Sequence, residues 1–140
     1  MSEEGRVVAT LVQEQYAASP SAAWDLVGDF EGIARVFPAV TDVTIDGDVR
    51  TFSMTGMRIS ERLVRRDDAT RTLTYSIVDG VPIEAHEATM MVEPSDGGCT
   101  ITWSVTTTPE DAQPLFIDTY RRALETLHEA LDPHEGPASA

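Results

Sequence analysis

Two residues stand out because their chemistry conflicts with their place. Glu61 shares one strand face with Ile59 and Leu63, and His86 shares another with Ala88, Met90 and Val92. A carboxylate drawn into apolar surroundings has its pKa raised by desolvation, and an imidazole already titrates near neutrality. Such a pair suits general acid/base work: one group takes a proton from beside a carbonyl, the other returns one to an oxygen. Cofactor-free cyclisation or dehydration needs that exchange. A structural reading stands beside it. Glu61 can be a polar group satisfied by Tyr75 or Arg50, and His86 a side chain at a wet rim.

A second set could hold a ligand. Tyr75, Tyr120 and Trp103 can stack on a flat molecule or hydrogen-bond it, or serve as core aromatics with satisfied polar atoms. Arg50 can bind a carboxylate or enolate inside, or end a strand in solvent. Phe52, Phe116, Met54 and Met90 supply apolar lining, and the methionines let it adapt.

Other chemistries are excluded or disfavoured. All ten basic residues are arginine, so no lysine Schiff base can form. Cys99 is the single cysteine and follows Gly97-Gly98, which marks a small strand-start residue and rules out an internal disulfide. Glu84 and Glu87 flank His86 without a further nitrogen or sulfur ligand, while His128 and His134 lie on the last helix and tail; no metal and no cofactor are expected. A net charge of −14 repels phosphate backbones and anionic lipid, which argues against nucleic acid as a partner. No apolar run is long enough to span a bilayer, and the acidic start Met1 to Gly5 does not read as a signal peptide. Together with the lone cysteine this gives the expectation of a cytoplasmic protein that does not insert into membranes.

The elements that must position these residues follow from periodicity and turn chemistry. The 140 residues make one domain, 1–132, with 133–140 expected as a disordered tail. A strand is expected over 6–16. Ser19-Pro20 starts a short helix that Gly28 ends, and Asp29 caps a second one carrying Phe30, Ile33, Val36 and Phe37. Six strands follow, over 40–45, 49–55, 58–65, 71–78, 86–93 and 100–107, separated by turns such as Asp46-Gly47-Asp48. Phe116, Ile117, Tyr120, Leu124, Leu127 and Leu131 then recur at helical spacing, predicting one long helix over 114–131. Val43, Ile45, Phe52 and Met54 are expected inward, with Arg50 a further candidate; Arg58 and Arg62 are expected outside. In the tightest register Glu61 pairs with Ile77 and Ile77 with His86, placing the two backbones roughly 9–10 Å apart across one shared strand. An outer strand at 6–16 or 40–45 leaves both monomer and homodimer open.

The pattern resembles a known superfamily. Ala18-Ser19-Pro20 with Trp24, Asp29-Phe30, Phe37-Pro38, Glu61-Arg62-Leu63, Asp67-Asp68, Thr74-Tyr75-Ser76-Ile77 and Trp103-Ser104 are similar to the helix-grip (SRPBCC) proteins, which group birch-pollen-allergen and START-like lipid-transfer domains. The likeness is greatest to bacterial polyketide cyclase/dehydratase-like members. It spans about residues 6–131, with phenylalanine at 37 where members usually carry tryptophan. The resemblance implies an α+β helix-grip fold: a seven-stranded antiparallel sheet curved around a long C-terminal helix, with two short helices between strands 1 and 2. It also implies a hydrophobic cavity with 55–57 and 79–85 at its mouth, and a hydrophobic, polyketide-like small molecule as partner, either acted upon or simply carried. A core filled by the protein's own side chains is the remaining alternative.

Overall fold

The structure is a computed structural model and describes residues 9–132. The strand start at 6–8 and the tail from 133 lie outside the described residues. The elements are β1 (Thr10–Tyr16), α1 (Pro20–Val27), a 3-10 segment (Phe30–Arg35), β2 (Thr41–Asp46), β3 (Val49–Met54), β4 (Met57–Asp67), β5 (Thr72–Asp79), β6 (Ala85–Ser95), β7 (Gly98–Thr108), a 3-10 turn (Glu110–Ala112), α2 (Gln113–Thr126) and α3 (His128–Leu131). The seven strands form one antiparallel sheet in the order β1-β7-β6-β5-β4-β3-β2. Sequential hairpins build the meander, and β1 closes onto β7. This is the helix-grip arrangement.

Local chemistry explains the helices. The Ser19 side chain accepts the Ala22 N–H at 3.1 Å and Pro20 occupies the first turn. Gly28 ends α1 at an ordinary φ of −82°. Glycine is needed there for space, since a Cβ would lie 2.6 Å from the Trp24 ring. The second short helix is 3-10, with a kink at Gly32. Asp29 does not cap it; its carboxylate pairs with Arg35 at 2.8 Å instead. The expected long helix is two pieces, α2 and α3, meeting at Leu127.

Alternation sends one sheet face inward. Ile59 and Glu61 of β4, Leu73 and Tyr75 of β5, Met90 and Val92 of β6, and Ile101 and Trp103 of β7 are all buried. From α2 the stripe Ile117, Tyr120, Ala123 and Leu124 meets them. Each large apolar side chain among them contributes roughly 1.5–3 kcal/mol by leaving water. A second cluster, Ile33, Val40, Phe52 and Ile59, fills the β2–β4 side with Met54 and Val43 against it. Arg58 and Arg62 lie outside, as expected. Ile45 does not reach the interior: it is 38% exposed, because β2 is an edge strand whose register shifts between Thr41 and Thr44.

The β5–β6 ladder is short. It runs from Thr72↔Met91 to Tyr75↔Ala88, although β5 continues to Asp79 and β6 begins at Ala85. The sheet therefore divides at the end where the β3–β4 and β5–β6 loops lie. His86 stands in that division.

Candidate functional site

The inward face carries two polar groups of residues, joined by Tyr75. The first is an ion pair. Arg50 on β3 faces Glu61 on β4 in direct register, and the two are 4% and 6% exposed. Arg50 Nε and Nη2 both reach Glu61 Oε1, at 2.8 and 2.7 Å. Arg50 Nη1 donates to the Phe30 carbonyl at 2.6 Å. The guanidinium lies between two aromatic faces, 4.1 Å from the Phe30 centroid and 4.8 Å from that of Tyr75. Burial pushes the Glu61 carboxyl above the usual carboxylate range, while the charge and hydrogen bond of Arg50 pull it back.

The second is an aromatic and imidazole cluster. Trp103 and Tyr120 stack with centroids 4.1 Å apart and planes 2° apart. Trp103 Nε1 donates to the Tyr75 hydroxyl at 3.2 Å. His86 Nε2 meets the Tyr120 hydroxyl at 3.1 Å, and its Nδ1 accepts the Ile77 backbone N–H at 3.1 Å. Since Nδ1 is an acceptor, the ring proton sits on Nε2 and points to Tyr120. Burial pushes the imidazole pKa down to about 4, so the ring is neutral at pH 7. Phe116 covers it, 4.9 Å between centroids. Burial raises both phenols, which therefore remain hydroxyls.

Glu61 and His86 are thus both buried on the inner face, and Glu61 does pair with Ile77. Yet each is engaged elsewhere: Glu61 with Arg50, His86 with Ile77 and Tyr120. The Ile77–His86 strand pair is replaced by the imidazole itself. Tyr75, Tyr120 and Phe116 gather around His86, with Trp103 stacked on Tyr120, and Met90 joins Tyr75, Trp103 and Arg50 along a small cavity. Phe52 and Met54 belong to the separate β2–β4 cluster.

The expected enclosed void is not open. The space bounded by Arg50, Tyr75, Met90, Trp103, Phe37 and Asp29 is about 10 Å³, close to one water. Sites for drug-sized ligands run to roughly 300–1,000 Å³. Large inward side chains, Trp103 and Met90 from the strands and Tyr120 from α2 above all, fill the volume. Outside, beyond Phe30, an open cleft of about 420 Å³ is bordered by Asp25, Asp29, Glu31, Asp48 and Arg66.

Sequence reasoning missed Phe30. Its ring and its carbonyl together hold Arg50. The available signal was an arginine at an inward strand position, which requires both an anion and a flat face to cover it. His128 was also passed over. Its Nε2 contacts Glu14 at 2.7 Å and its Nδ1 contacts Asp132, fastening α3 to β1. Among the described residues there is no group of three or more potential metal ligands, and no helix is long and apolar enough to cross a membrane.

Known proteins place this architecture. No curated protein matches the chain. An uncharacterized protein from Bacillus thuringiensis is 25% identical over 88% of this chain and 98% of its own, with a TM-score of 0.80. XoxI from Bacillus cereus is 27% identical over 89% and 95%, also at 0.80. Ara h 8.0201, at 18% identity and 89% and 99% coverage, shares the fold with a TM-score of 0.63. The family model described as polyketide cyclase / dehydrase and lipid transport matches residues 9–132. With all but its two ends matched, the chain belongs to that family, one of hydrophobic-ligand binding.

Proposed function

We propose that this protein binds a hydrophobic, polyketide-like small molecule between the sheet and the helices, and that the described conformation is its closed state. The observation that carries the reading is the polar arrangement on the inner face. A core needs no buried Arg50–Glu61 pair beside stacked aromatics; an apolar pair would be at least as stable. A ligand with a polar end gives these groups a use. Apolar residues at the divided end of the sheet, Met57, Val78 and Leu115, are 42%, 43% and 75% exposed and mark the side of access.

Binding is favoured over Glu61–His86 proton transfer, because His86 is neutral with both nitrogens engaged and Glu61 is ion-paired. A catalytic reading keeps one specific support. A ligand oxygen that drew Arg50 away would free a carboxylate whose basicity is already raised by burial. Titration with Nile red, a neutral dye that brightens in apolar surroundings, tests the reading. Saturable uptake at one dye per chain, retained in Glu61→Gln and His86→Gln, is expected. Absence of uptake by the wild-type protein overturns it. If turnover of a polyketide substrate is found, its loss in Glu61→Gln with uptake intact would establish the catalytic form.

A further inference from the structure

Two buried hydroxyls receive one ring N–H each and keep their own protons to give. Four donors meet in the cluster: the ring N–H of His86, the O–H of Tyr120, the O–H of Tyr75 and the indole N–H of Trp103. The imidazole donor is used on Tyr120, and the indole donor on Tyr75. Each phenolic oxygen thus accepts one ring N–H, which leaves the phenolic protons to be donated. Direction is set from one end. The Ile77 N–H can only donate, which makes His86 Nδ1 an acceptor and its Nε2 a donor. Tyr120 therefore accepts from His86, as Tyr75 accepts from Trp103.

Tyr75 borders the small cavity, together with Arg50 and Trp103. Arg50 has five N–H groups, of which the Glu61 and Phe30 contacts use three. It cannot accept. Glu61 meets Arg50 through Oε1 and does not border this cavity. The remaining acceptor on the cavity wall is Asp29, which is half exposed and paired with Arg35. The inner wall therefore offers hydrogen-bond donation and almost no acceptance.

From these donors we infer that Tyr75, its oxygen held by the Trp103 N–H and helped by Arg50, anchors an acceptor oxygen of the ligand, a ketone, quinone or enolate, and discriminates against ligands whose polar end is a donor. This rests on the binding reading above and specifies the chemistry of its site. Tyr75 is the specificity-determining group.

Three flat molecules of nearly equal shape test it: fluorenone with a carbonyl acceptor, fluorene with no polar group, and carbazole with an N–H donor. Fluorenone should bind roughly tenfold tighter than fluorene, the scale of one buried hydrogen bond, and carbazole no tighter than fluorene. The carbonyl stretch of bound fluorenone should fall below its frequency in alkane. In Tyr75→Phe the preference should shrink and the band move back toward the alkane position. Should that variant fail to fold, the wild-type affinity order and spectrum decide alone. Equal binding of fluorenone and fluorene, or an unshifted band, overturns the inference and leaves the binding reading standing. If none of the three binds, the inference falls, and the Nile red titration alone decides the binding reading.

Discussion

The imidazole of His86 takes the place of a strand: its Nδ1 accepts the Ile77 N–H at 3.1 Å where the ladder between β5 and β6 has ended at Tyr75↔Ala88. An imidazolium cannot make that contact, because both of its nitrogens are donors.

The pH dependence of folding follows. The His86 pKa falls from 6.5 to about 4 on burial. Between those values the unfolded chain binds more protons than the folded one, so stability rises with pH. The contribution of His86 is present above pH 6.5 and is lost as pH falls toward 4, about 3 kcal/mol in all. Urea denaturation of wild type and His86→Gln at steps from pH 7.5 to 4 should show the difference between them shrinking on acidification. A difference that stays constant across the window refutes the neutral, buried imidazole.

His128 acts in the opposite sense. Its hydrogen bond to Glu14, followed by those of Asp132 and their charges, holds its pKa above 6.5 against some desolvation. A raised folded pKa gives stability that is fully present below the unfolded value and lost as pH rises through the folded one. NMR titration of the ring protons should place the His128 midpoint above 6.5, and Glu14→Gln should lower it. A midpoint unmoved by that substitution would show that the α3–β1 fastening is not ionic.

The Arg50–Glu61 pair predicts an asymmetry. Removing either partner leaves the other buried and uncompensated, at a cost of about 3–5 kcal/mol. Arg50→Met and Glu61→Leu should each destabilise on that scale, and the double variant should be more stable than the worse of the two singles. Chemical denaturation of all four proteins closes the cycle. Additive losses would mean that the two side chains do not compensate each other.

Much of this was legible before any coordinates. Period-two alternation put Glu61 and His86 on the inner face, and turn residues set the meander, because both signals are local. The register Glu61↔Ile77 followed from keeping apolar faces together. What escaped was set by volume and by partners distant in sequence. Strand alternation and helical spacing say that Trp103, Met90 and Tyr120 point inward, yet cannot say whether they meet or leave a void between them. Arg50 could be read as solvated or buried until Phe30, twenty residues earlier, supplied its carbonyl and ring. Asp29 reads as a cap from its position alone, and Arg35 competes for its carboxylate.

The closed interior gives the last prediction. Met90 is 3% exposed and borders the cavity of about 10 Å³ with Tyr75 and Trp103. Trimming it to alanine removes most of a side chain from a site whose aromatic neighbours are held by stacking and hydrogen bonds, so collapse should be incomplete. Met90→Ala should lose about 2–5 kcal/mol of stability. If the interior is a ligand site in its closed form, the same change should also speed the uptake of Nile red, because less side chain must move before the dye can enter. Stopped-flow mixing measures that rate directly. A variant destabilised as expected but with dye uptake unchanged would mean that the ligand does not pass through the space beside Met90, and the open cleft beyond Phe30 would then become the route to examine.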